Sequence, residues 1–528
     1  MATRMASRVI RAGRQKLIRA KSSRREFCSS VPSSADIVSV PLSKPVPSFP
    51  VPKYANVGAQ TDETKVTVLE NGLTVASENK FGQFCTVGVV LNSGSRYEVA
   101  YPSGISQFLE KLAFCSTTLF EDRDQILQEL ERHGGICDCQ GSRDTLIYAA
   151  SAEISGLPSV MNILSEVVLR PRITQDELDQ ARQAISFELE NLNMRPDPEP
   201  LLMEMIHAAA YKQNTLGLPK FCPTENINSI SQKIVYTYLK NFHIPQRMVV
   251  AGVGIDHQWL VDLAKEHFID RRMPVWTENK HFIDDSKSID TSVSQYTGGI
   301  VQVEKDLSDV SLGPTPIPEL AHVVIGLESC SHKDPDFIPF CVLNMLMGGG
   351  GSFSAGGPGK GMYTRLYLNV LNRYHWMYNA TAYNHAYEDS GLFCIHASAH
   401  PSKLKDLVEV IVREFVSMAG KIHSDELQRA KRQLQSMLMM NLEARPVVFE
   451  DIGRQVLASG HRKQPQYFYD EIEKITANDV RRVASRMLRC KPAVAGYGTL
   501  QQLPSYSEIE AALLTTDGKL SKRFSLFR

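Results

Sequence analysis

Apolar residues fall at strand or helix spacing over most of the chain. Residues 65–69 and 73–77 are short β-rich runs on either side of Asn71-Gly72, a dipeptide that favours a type I′ turn, and they predict a hairpin. Residues 85–92 form a continuous apolar run of strand length. Residues 103–114 and 122–133 are amphipathic at helical spacing, and a strand pair is expected around Gly141-Ser142-Arg143. Leu157–Leu169 and 176–193 are again helical, the first stopped by Arg170-Pro171. Met248–Val253 closes the series as a strand, and helix 259–268 follows.

Periodicity then fades over 270–318, where Asp, Ser, Thr and Pro collect and the run ends in Gly313-Pro314-Thr315-Pro316, so this stretch reads as a linker. Beyond it the order repeats: strand 322–327, helix 336–346, strands 376–382 and 392–399, helices Leu404–Met418 and 425–441, and a closing strand 493–496. Two halves with one element order indicate an internal duplication. The paired strands imply mixed sheets, so the expected class is α+β, with helices on one face of each sheet and the halves, 65–269 and 319–528, enclosing a central groove.

Charge changes the picture at one end. Lys+Arg and Asp+Glu tie at 58, yet the first 30 residues hold nine Lys or Arg against a single acid, leaving the remainder at net −8. An Arg- and Ser-rich, acid-poor start reads as a mitochondrial transit peptide over 1–27, cut between Phe27 and Cys28. Residues 28–64 are a Pro- and Ser-rich lead-in. An acidic body offers nucleic acid no attraction, and no run reaches the ~18 apolar residues of a membrane span. The ten cysteines show neither CxxC nor a disulfide framework. Cys137 and Cys139, with His133 nearby, lack a fourth zinc ligand and read as buried free thiols.

Helix 103–114 carries the first candidate chemistry. Gln107, Glu110 and Lys111 stand where the inverted zinc peptidases, the pitrilysin family, place His, Glu and His in H-x-x-E-H, so the helix resembles that element with both imidazoles replaced. The resemblance implies that Glu188, on helix 176–193, matches the third ligand. An ammonium has no lone pair to give zinc and an amide is a poor ligand, so no catalytic metal is expected in this chain.

The strongest local signal is 347–361, with eight glycines in fifteen residues. It is no Walker A loop: Gly359-Lys360 is followed by Gly361, and a helix, not a strand, feeds it. So many glycines fit a mobile segment, or backbone that closely approaches an extended peptide, with Phe353 the only aromatic anchor. This loop and the 362–374 segment after it resemble the non-catalytic branch of the pitrilysin family that serves mitochondrial presequence processing. That resemblance implies a heterodimer with a catalytic β subunit holding the zinc, no cofactor in this chain, and a matrix location with room for peripheral inner-membrane association. It also implies that Gly348, Gly349, Gly350, Gly351, Ser352, Phe353, Ser354, Gly356, Gly357, Gly359, Lys360 and Gly361 bind the presequence. The acidic body suits Arg-rich presequence peptides, and Glu450 and Asp451, read as opening helix 450–459, are candidate partners for a distal arginine. Two alternatives stand beside this. One is a structural core subunit of the respiratory cytochrome bc complex, against which the long glycine loop argues. The other is a peptidase using a different site, although neither H-E-x-x-H nor H-x-x-E-H occurs.

Overall fold

The computed structural model describes residues 63–195, 197–271, 273–278, 281, 283–287, 289–307, 319–349 and 363–520. The transit-peptide segment, the Phe27/Cys28 junction, most of the lead-in and Gly350 to Gly361 lie outside them.

In the first half the strands are β1 (Lys65–Val68), β2 (Thr74–Glu78), β3 (Phe84–Leu91), β4 (Ile136–Gly141), β5 (Leu146–Glu153) and β6 (Met248–Val253). They form one sheet in the order β1-β2-β6-β3-β5-β4, parallel only between β2 and β6. Its helices are α1 (Ile105–Leu112), α2 (Arg123–Glu131), α3 (Leu157–Leu169), α4 (Gln175–Met194), α5 (Glu199–Ala210), α6 (Gln232–Phe242) and α7 (His257–Lys265). The hairpin pairs Lys65 with Ser77 and Val68 with Thr74, and Gly72 takes the positive φ of 89° that its turn demands.

The second half holds β7 (Gly299–Glu304), β8 (Ala321–Glu328), β9 (Met377–Ala386), β10 (Gly391–Ala399) and β11 (Ala493–Gly498) in the order β7-β11-β8-β10-β9. Only β7 and β11 run parallel, so this five-stranded sheet repeats β2-β6-β3-β5-β4 of the first, and β1 has no counterpart. Its helices are α8 (Phe337–Met347), α9 (Leu404–Met418), α10 (Ser424–Asn441), α11 (Arg445–Ser459), α12 (Pro465–Lys474), α13 (Ala477–Met487) and α14 (Tyr506–Leu513).

The repeat corrects the linker. Residues 299–304 lie inside the segment read as structureless, and pair with β11 as β2 pairs with β6. The short Ile-Val-Gln-Val run carries the strand signal, but on a sheet edge it stays mostly exposed, so no apolar alternation stands out.

The one-sided arrangement of helices needs a second correction. Strand β3 is buried at seven of eight positions, so both of its faces require cover. One face packs on helices of its own half. The other, with Val90, Val249, Ala251 and Val253, is covered by Val448, Phe449, Ile452 and Val456 of α11, from the second half. In return α5 of the first half lays Leu202, Ile206 and Ala209 against Val324, Cys394 and Ala495 of the second sheet. Each half completes the other's core. The boundaries 65–269 and 319–528 therefore cut through two shared cores.

Candidate functional site

Helix α1 follows a half-buried turn, Ser95–Ala100, that anchors its N-terminus. The Glu98 side chain is fully buried, and its carboxylate accepts hydrogen bonds from Gly104 N (2.6 Å), Ser106 N (2.7 Å) and Ser106 Oγ (2.5 Å). An acid at a helix N-terminus satisfies orphan amides and meets the favourable end of the dipole. Burial nevertheless pushes Glu98 up to about 7. The fixed helix turns Gln107 and Lys111, four residues apart, toward α4.

The four residues of the degenerate motif do meet. Lys111 Nζ lies 2.8 Å from Glu188 Oε2 and 3.7 Å from Glu110 Oε1. Gln107 donates from Nε2 to Glu188 Oε2 at 3.1 Å, while its Oε1 accepts from Cys222 N at 2.7 Å. Glu110 Oε2 also accepts from Gly141 N of β4 at 3.2 Å. Burial works against the charge on Lys111, but the hydrogen bond and charge of Glu188, and the charge of Glu110, outweigh it and raise its pKa. The donor set does not fit zinc. Glu188 is engaged by an ammonium and an amide N–H, and the carbonyl of Gln107 is turned away onto backbone.

Arg96 and Asp144, on either side of α1 in the chain, clasp the two halves together. Arg96, buried, reaches Asp144 (2.9 Å) and Ser294 Oγ (2.8 Å), and forks onto Asp389 of the second half at 2.9 and 2.5 Å. Arg143 pairs with Glu204 of α5 at 2.7 Å. Local pattern along the chain gives Arg96, Arg143 and Asp144 no role of this kind. Asp389 and Ser294 carry no signal of their own, since nothing in the chain pattern brings them to Arg96.

The glycine segment is described at its entrance only. Gly348 ends α8 at φ 135°, and a Cβ on Gly349 would sit 2.2 Å from the Asn344 side chain, so both glycines have local structural reasons. Glu450 and Asp451 are not in a first helical turn: α11 starts at Arg445, which places them in the second. Glu450 Oε1 takes the Arg454 Nε hydrogen bond at 2.7 Å. Asp451 accepts from Gln455 (2.9 Å) and from Arg462 (2.8 Å), a buried guanidinium that also pairs with Glu78. The cysteines are free among the described residues, but Cys115, Cys137, Cys139, Cys341 and Cys490 are only half-buried. No helix among the described residues is long and apolar enough to cross a membrane.

A duplicated α+β scaffold, with the four positions of a zinc helix pair gathered and a lysine in their midst, defines a peptidase-type fold in which these four positions do not form a metal centre. Family models agree: residues 74–224 match insulinase (peptidase family M16), and 229–434 match the peptidase M16 inactive domain. The mitochondrial-processing peptidase subunit alpha of Homo sapiens is 59% identical over 490 residues, covering 93% of this chain and 92% of the relative. Those of Rattus norvegicus (53%, 94% of each chain) and Caenorhabditis elegans (43%, 94% of this chain and 97% of the relative) align as fully. The chain belongs to peptidase family M16, in its branch of mitochondrial-processing peptidase alpha subunits. The reading as a cytochrome core subunit gains no support from these relatives.

Proposed function

We propose that this chain is the non-catalytic, presequence-recognising subunit of a mitochondrial processing protease, paired with a catalytic β subunit that supplies the zinc. The observation that carries the proposal is the Lys111 ammonium 2.8 Å from Glu188, which puts a tethered cation where a peptidase of this fold needs metal ligands. A chain built on this scaffold with no place for the ion contributes by binding. Gly348 to Gly361, with Ser352, Phe353, Ser354 and Lys360, form the recognition segment for Arg-rich, amphipathic presequences in the matrix, and the acidic body steers such peptides in. Glu450, which among the described residues pairs with the half-buried Arg454 one turn on, is the better placed of the two candidate acids, since Asp451 is tied to Arg462.

The test is deletion of 348–361 with the flanking ends rejoined, in the reconstituted heterodimer. Loops carry few buried contacts, so folding and β-subunit association should persist. Presequence cleavage should fall mainly through a raised KM, because recognition and not chemistry is removed. Unchanged KM and kcat would reduce the glycines to a connector and overturn the assignment.

A further inference from the structure

The duplication sets α8 and α10 of the second half where α1 and α4 stand in the first. Between α1 and α4 the space is closed by Gln107, Lys111 and Glu188. Between α8 and α10 it is open among the described residues. A cavity of about 330 Å³ lies there, with Met345, Leu346, Met437 and Met440 supplying its apolar surface. That volume is at the low end of the roughly 300–1,000 Å³ usual for ligand clefts and suits an apolar side chain and its neighbours. Met440 is 55% exposed, so the apolar lining reaches the surface. Methionines are flexible and polarizable, and line surfaces that accept varied apolar partners.

The charges at the mouth select the partner. Arg429 and Arg432 are exposed, lie three residues apart on one side of α10 and line the cavity. Neither forms an ion pair among the described residues, and Arg429 only leans over the Tyr363 ring at 5.9 Å. The one acid on the lining, Glu426, is already engaged by the Arg365 guanidinium through two hydrogen bonds of 2.7 and 3.1 Å. The opening is therefore basic on a body that is acidic.

We propose that this groove docks an acidic–apolar segment of a partner polypeptide, which inserts an unbranched or aromatic side chain among the methionines and sets carboxylates against Arg429 and Arg432. The preferred charge is opposite to that of an Arg-rich presequence. The groove is thus a second recognition site, and it stands or falls independently of the presequence reading.

The experiment is fluorescence anisotropy on the purified full chain, without any processing readout. The probe is a fluorescein-labelled peptide with the core Met-Leu-Phe flanked on each side by Glu-Asp; its counterpart carries Lys-Arg flanks. Loss of two exposed ion pairs predicts that Arg429→Glu with Arg432→Glu weakens the acidic peptide about tenfold, equivalent to about 1.4 kcal/mol. The same reversal should not weaken the basic peptide, and Met437→Trp, filling the cavity, should weaken the acidic one. Arg429 and Arg432 are exposed, so unchanged circular dichroism is expected of the charge variant. Weakening of the basic peptide by the charge reversal, or an affinity for the acidic one that the reversal leaves untouched, would overturn the proposal. So would a dimer of this chain that Met437→Trp dissociates, because the groove would then hold a second copy.

Discussion

Replacing Lys111 by Met keeps the aliphatic stem and removes only the ammonium, leaving Glu110 and Glu188 facing each other without a cation. The cost follows from burial. Exposed pairs contribute ~0.2–1 kcal/mol, and breaking a buried one costs ~3–5 kcal/mol. Here Lys111 and Glu188 keep 27% and 36% of their side-chain exposure, so solvent screens the pair in part. A loss of about 1–2 kcal/mol is expected. In a chain this size that lowers Tm by roughly 1–4 °C. The cycle with Glu188→Gln should return a coupling of about 1 kcal/mol, read from urea midpoints of the four proteins. The sign with pH is fixed as well. Folding raises the pKa of Lys111, so its contribution is complete below the unfolded value near ~10.4 and is lost as pH climbs through the higher folded value. The gap between native protein and variant should stay level from about pH 7 to 9 and close only above ~10.4. A coupling indistinguishable from zero, or a variant more stable than the native chain, would refute the view that this lysine compensates the two acids.

Three further outcomes follow from the same geometry. Gln107→His with Lys111→His would set two imidazoles beside Glu188, and the dialysed variant should retain about one zinc per chain by metal analysis; none retained would mean the helix pair has drifted from ligand geometry. Burial lifts Glu98 from 4.5 to about 7, which favours its neutral form in the fold, so its stabilising contribution is full at acid pH and fades as pH rises to about 7. Unfolding free energy measured across that window should carry a downward slope that Glu98→Gln removes, and an identical slope in both proteins would be the contrary result. Gly453 of α11 lies so close to the first sheet that an added Cβ would meet Val90 Cγ2 at 2.4 Å. Gly453→Leu should therefore cost about 1–3 kcal/mol in urea unfolding, and a silent substitution would contradict close seating of this exchanged helix.

How much of this was legible in the chain can be judged from particular elements. The strand pattern of β3, the turn at Asn71-Gly72 and the three segments Leu157–Leu169, Met248–Val253 and Leu404–Met418 stood at the observed bounds or within a residue or two. The duplication was visible because both halves repeat one order of local signals. Gln107, Glu110, Lys111 and Glu188 were readable as a group because helical spacing places 107, 110 and 111 on adjoining positions, and the family likeness supplies Glu188.

What the sequence determined by itself is whatever depends on near neighbours along the chain: periodicity, turn dipeptides, and the chemical unfitness of an amide and an ammonium as zinc ligands. Tertiary structure alone decided the rest. The edge strand Gly299–Glu304 becomes a strand only because β11 offers it a parallel partner. Helices α5 and α11 each leave their own half, because a sheet apolar on both faces must be covered by something, and sequence does not say by what. The Arg96 clasp and the closed cleft at Lys111 follow the same logic. Contacts between residues 293 positions apart, as Arg96 and Asp389 are, leave no periodic trace, since only folding brings such groups within hydrogen-bond distance.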